Sequence, residues 1–89
     1  MTPLEALQQT LAGEHAAVYV YRALAGRVSS SADPDLASGL AAAYALHRGR
    51  RDQLVTMVRA ASGDPVAADV SYQLPNPSRT PAQLGLGSW

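Results

Sequence analysis

Two stretches of helical period, each opened by a cap-forming residue and a proline, constrain this chain most. Thr2-Pro3 starts the first and Asp33-Pro34 the second. A Thr or Asp side chain accepts an orphan N–H of the first turn, and proline at the first helical position gives up an N–H that has no partner there. Glu5, three residues after Thr2, completes a capping box. The spacing predicts a helix over 3–29, with Leu4, Leu7, Leu11, Val18, Tyr21, Ala25 and Val28 on one stripe and Glu14 in the same series. A second helix is predicted over 34–62, with Leu36, Leu40, Ala43, His47, Arg50, Leu54, Met57 and Ala61 in its stripe. Ser29-Ser30-Ser31-Ala32 breaks the first helix; Gly63 is the expected C′ cap of the second, in the left-handed conformation glycine favours, and Asp64-Pro65 prevents continuation.

A short connection makes the two helices antiparallel neighbours. Facing residues of such a hairpin share one sum of positions. Leu4 with Met57, Leu7 with Leu54, Val18 with Ala43, Tyr21 with Leu40, and Ala25 with Leu36 all do so, and Glu14 with His47 falls on the same sum. The expected fold is therefore all-α: a helical hairpin over 1–63 and an extended Pro-rich tail over 64–89. Pro65, Pro75 and Pro77 exclude long regular structure in that tail. Val66, Val70, Tyr72 and Leu74 are expected to lie back over the helix ends. Thr80-Pro81-Ala82-Gln83-Leu84 reads as a third helix start that Gly85 and Gly87 abort.

Composition removes several classes of function. The chain has 89 residues, 47% of them hydrophobic and 16% charged, which is one domain with a small core and too apolar for a disordered segment. Cysteine is absent, which excludes disulfides, thiolate metal sites and cysteine nucleophiles. Net charge is zero, which argues against a general nucleic-acid binder. No apolar run reaches membrane-spanning length. The acidic first segment carries no basic patch of the signal-peptide kind, so the cytoplasm is the expected compartment. No glycine-rich phosphate loop, nucleophile elbow or paired-carboxylate motif is present, and catalysis is not expected.

Chemistry is concentrated in Glu14 and His47, which interrupt their apolar stripes at mid-helix. A carboxylate in such a place needs a partner. One reading is a polar core layer made of Glu14, His47, Arg50, Arg51, Tyr21 and Tyr44, in which Glu14 pairs with His47 or with an arginine one turn away. The other is metal ligation by Glu14 and His47, a donor set that suits iron, manganese or zinc. Two copies of the chain would supply two of each. Tyr19, Tyr21 and Tyr44 lie near the same level and read as amphipathic core filler; a redox tyrosine beside a metal is the alternative. His15 reads as a boundary residue. Arg48, Arg51 and Arg59 are the residues a nucleic-acid-binding hairpin would use. Gly13, Gly39 and Gly49 weaken their helices and are expected to permit close helix approach.

Three blocks carry a resemblance: Glu14-His15-Ala16-Ala17-Val18-Tyr19-Val20-Tyr21, then His47-Arg48-Gly49-Arg50-Arg51-Asp52, then Ala67-Ala68 with Tyr72-Gln73-Leu74-Pro75. Together they resemble an uncharacterised ferritin-like domain family of bacterial proteins. The resemblance implies an up-down helical bundle of ferritin type and no assigned activity. Members of that family carry two further helices, so this chain looks like half of a four-helix bundle. Di-iron ferritins place a Glu on one helix and Glu-x-x-His on the next. Glu14 and His47 match the first Glu and the His, while Tyr44 stands in the second Glu position. Val20 and Arg22 replace small residues of the Tyr-x-Tyr block.

The expected function is a non-catalytic structural or partner-binding bundle that self-associates. A homodimer, or helices supplied by a longer chain, would cover Leu24, Leu46, Val55 and Val58, which fall off the expected seam. The alternative is an iron- or manganese-binding protein that uses Glu14 and His47 from two chains.

Overall fold

A computed structural model describes residues 1–69 and 72. Two helices form the fold: α1, Pro3–Ala25, and α2, Pro34–Ala60, with no strand among the described residues. They pack side by side as the all-α hairpin that the paired stripes predict. Val70, Leu74 and the expected third helix start at Thr80 lie outside the described residues.

The start of α1 follows its sequence signal closely. The Thr2 hydroxyl oxygen accepts the Glu5 N–H at 3.1 Å, and the Glu5 carboxylate accepts the Thr2 N–H at 2.9 Å. The Thr2 N–H, with the Thr2 side chain second, holds the Glu5 carboxyl below its ordinary value. Asp33 occupies the N-cap position of α2, but its side chain makes no capping bond; only its backbone carbonyl is used, by the Ala37 N–H at 2.9 Å.

α1 ends four residues earlier than the stripe suggested. Gly26 is its C-cap, and the Arg27 N–H closes a tighter turn onto the Leu24 carbonyl. Glycine propagates a helix poorly, and serine side chains offer the backbone competing bonds. The Ser29 hydroxyl does so, accepting the Ala32 N–H at 3.2 Å, and the Ser29 main-chain carbonyl accepts the Asp33 N–H at 2.9 Å. Val28 still reaches the core, from the connection rather than from the helix.

α2 ends in a Schellman turn. The Gly63 N–H bonds the Val58 carbonyl at 3.0 Å and the Ser62 N–H bonds the Arg59 carbonyl at 3.0 Å. The left-handed residue is Ser62, with φ 64°, and not the expected Gly63. Gly63 is needed for space instead. A Cβ there would lie 2.7 Å from Leu4 Cδ1 and 3.2 Å from Val58 Cγ1. Gly13 and Gly49, by contrast, face nothing within 4 Å, so they do not serve close helix approach. Ser62→Gly relieves the left-handed strain and should raise stability by about 1 kcal/mol. Gly63→Ala should lower it by about as much, because Leu4 must move aside. Thermal melts of the two variants, shifted in opposite directions by about 5 °C, check this pair.

The core is a short seam. Leu11, Val18, Tyr21 and Leu24 of α1 are buried, as are Leu40, Ala43 and Val58 of α2. Two assignments of the stripe are corrected here. Val58 is fully buried while Met57 is 50% exposed, and Leu24 joins Tyr21, Leu40 and Ala43 in one cluster. The reason is helical geometry. At 3.6 residues per turn, ten residues carry Met57 to about 80° from the direction of His47, whereas eleven bring Val58 back to about 20°. A strict heptad stripe therefore slips by one residue toward the end of a straight helix.

The chain then returns along α1. The Gln8 carboxamide brackets residues 64–66: its Nε2 donates to the Asp64 carbonyl at 2.5 Å and its Oε1 accepts the Val66 N–H at 2.8 Å. The His15 Nε2 donates to the Val66 carbonyl at 2.8 Å, and the Tyr72 ring meets Tyr19 edge-on at 5.3 Å. Gln8, His15 and Tyr19 share one face of α1 at spacings of seven and four.

Candidate functional site

Near the middle of the hairpin the seam turns polar. Glu14 of α1 and His47 of α2 meet with His47 Nδ1 2.6 Å from Glu14 Oε2. A carboxylate accepts and does not donate, so Nδ1 carries the hydrogen of this bond. Their side chains are only 14% and 21% exposed, respectively. The Tyr21 ring lies flat on the imidazole, 5.1 Å between centroids and 10° between planes. That stack fixes the ring plane from α1, while the carboxylate fixes its rotation. Burial pushes the Tyr21 phenol above its ordinary value.

The remaining members of the expected polar layer stand elsewhere. Arg50 is exposed, and Arg51 is half-buried and pairs with Asp52 at 3.0 Å rather than with Glu14. Three residues past His47, Arg50 is turned about 60° off the seam at 3.6 residues per turn. Tyr44 carries the Arg48 guanidinium over its ring at 4.9 Å. The layer is thus Glu14, His47 and Tyr21, flanked by the Tyr44–Arg48 contact. The three tyrosines expected at one level have three different surroundings: Tyr19 faces the returning chain, Tyr21 the imidazole and Tyr44 a cation.

Gln8, which sequence reasoning passed over, and His15, which it read only as a boundary residue, take part in long-range contacts. Gln8 had no distinguishing signal, because a lone polar residue on a helix face is ordinary. His15 had one: it lies seven residues from Gln8 and four from Tyr19, a polar line parallel to the apolar stripe.

As a metal centre this donor set is incomplete within one chain. No group of three or more His, Asp or Glu side chains converges among the described residues. Glu14 and His47 satisfy each other, and among the described residues no buried side-chain N or O lacks a hydrogen-bond partner. No described helix is long and apolar enough to cross a membrane.

The fold and this layer define an all-α hairpin with a hydrogen-bonded Glu–His pair in its seam. The chain belongs to the family described as Domain of unknown function (DUF4439), whose model matches residues 6–84. No curated protein and no solved structure is detectably similar to it.

Burial of the Tyr21 phenol has a pH consequence. Its folded pKa lies above the unfolded value. The neutral phenol therefore contributes stability that is complete below about pH 10 and is lost as pH rises through the folded pKa. Alkaline unfolding of the parent should begin above pH ~10, and Tyr21→Phe should remove the phenol's share of that loss. Equal alkaline midpoints for parent and variant would contradict the assignment.

Proposed function

We propose that this chain is a ferritin-like helical hairpin that acts as a non-catalytic structural or partner-binding module in the cytoplasm and self-associates into a four-helix bundle. The observation that carries this reading is the closed Glu14–His47 bond, which occupies both polar groups of the seam with each other. A polar pair at one level fixes the register of two helices, and the single well-attested use of such pairs is specificity of assembly. Self-association is supported by the small core, seven buried side chains among the described residues, and by Leu46 and Met57, which remain 49% and 50% exposed. Eleven residues apart, they point within about 20° of each other on one flank of α2, about 80–100° from the seam. Leu24 and Val58, expected off the seam, belong to it, and Val55 lies about 180° around α2 from Leu46, so the dimer reading rests on Leu46 and Met57. The absence of cysteine suits a reducing compartment.

One observation favours a second reading. Glu14 orients His47 through Nδ1, the arrangement by which a carboxylate prepares an imidazole to ligate through its other nitrogen. Among the described residues nothing bonds His47 Nε2. Two chains bringing such pairs together would hold iron or manganese between them. Metal content and oligomer size, measured on one preparation made without chelator or tag metal, separate the readings. A metal-free dimer supports the structural module. Stoichiometric metal in a dimer supports the alternative, and a folded monomer at micromolar concentration overturns self-association.

A further inference from the structure

We propose that the groove between α1, α2 and the returning chain binds a small aromatic carboxylate. This site is separate from the Glu14–His47 pair and does not depend on the role given to that pair. The groove encloses about 150 Å³ and is lined by His15, Tyr19 and Arg22 of α1, Arg51 of α2, and Asp69 and Tyr72 of the returning chain. The groove is half open and its lining is mixed polar and apolar, and its volume is about that of a single aromatic ring.

The charge arrangement selects an anion. Side chains of a helix lean toward its N-terminus. In an antiparallel hairpin, Arg22 and Arg51 therefore lean toward each other along the groove from opposite ends. Arg22 makes no ion pair among the described residues. Arg51 gives Nε and one terminal nitrogen to Asp52, itself 67% exposed, which leaves its other terminal nitrogen for a ligand. Asp69 is the one acid in the lining, and its backbone N–H is held by the Tyr72 hydroxyl at 2.9 Å. With Arg51 paired to Asp52, the charge that draws an anion is that of Arg22, which has no acid partner among the described residues. The His15 Nε2 hydrogen is committed to the Val66 carbonyl.

The rest of the lining selects a ring. Tyr19 and Tyr72 meet edge to face at 60°, with Val18 and Ala68 beside them. A flat aromatic body fits against such walls, and a planar carboxylate matches the guanidinium fork. A free phosphate would satisfy the arginines and leave the aromatic and apolar walls unfilled.

The test is an NMR titration of the full chain with benzoate, compared with inorganic phosphate and benzyl alcohol. Benzoate should produce saturable shifts at His15, Tyr19 and Tyr72, with a Kd on the order of 1 mM for a ligand this small. Phosphate lacks the ring and benzyl alcohol lacks the charge, so each should bind about fivefold more weakly or less. Arg22→Gln and Arg51→Gln should each weaken benzoate about fivefold, and Asp69→Asn should tighten it. Arg22 is exposed, so Arg22→Gln keeps the fold and reads the test alone should Arg51→Gln lose helix content. The proposal is overturned by the absence of saturable shifts at roughly ten times the expected Kd, by unchanged affinity in Arg22→Gln, or by either control binding as tightly as benzoate.

Discussion

Leu11→Ala should cost about 3–5 kcal/mol, the largest single loss expected from any side chain here. Leu11 is fully buried, in a seam that holds few other large apolar groups. Removing most of its side chain forfeits transfer free energy and leaves a cavity that two rigid helices close poorly. A domain of this length holds on the order of 4–13 kcal/mol in total, so the variant should be close to unfolding at room temperature. Val58 and Met57 give the sharper comparison. In the hairpin alone, at chain concentrations too low for association, Val58→Ala should cost about 2 kcal/mol, whereas Met57→Ala, one residue away, should fall within about 0.5 kcal/mol of the parent. Urea melts of the three variants read the order directly. A larger loss at Met57 than at Val58 would mean that α2 is rotated from the orientation described.

Breaking the Glu14–His47 pair from one side should hurt more than removing it altogether. Glu14→Ala leaves His47 Nδ1 without its acceptor among apolar neighbours, at a cost of about 1–3 kcal/mol. Partial exposure of both side chains lets water return and keeps the figure below that of a fully buried pair. Glu14→Ala combined with His47→Leu makes the seam continuous, so the double variant should lose at least about 1 kcal/mol less than the two single losses added together. A metal site would behave differently. Chelator would lower the melting temperature of the parent alone, and all three variants would have lost the metal-dependent part of stability already. The structural reading expects the same melt with and without chelator. A parent that loses several degrees in chelator, with no response from the variants, overturns it.

The hairpin was legible because its determinants are local and redundant. Thr2-Pro3 with Glu5, Asp33-Pro34, and two stripes of matching phase each state the same answer, and the Glu14–His47 contact followed from that phase. Errors arose where a local rule met geometry at a distance. Met57 was read as buried because a heptad count ignores the drift of a straight helix, which accumulates away from the centre where the two stripes cross. Gly63 was read as the left-handed cap because glycine prefers that conformation, yet the packing of Leu4 against Val58 demands a missing Cβ one position later than the turn does. Arg50 and Arg51 were drawn toward Glu14 by charge alone; the angle of each on the helix decided otherwise. The groove by Arg22 was invisible, since it needs residues 22, 51 and 69 brought together by the return of the chain.

The hold that Gln8 exerts on residues 64–66 touches main-chain atoms only: one carbonyl and one N–H. The His15 bond likewise ends on a carbonyl. Any residue except proline at position 66 offers the same pair of groups. Among related chains, the helix side of this contact should therefore be held fixed as glutamine and histidine, while the opposite side is free to drift. Two letters on α1 would suffice to read a returning segment whose own spelling hardly matters.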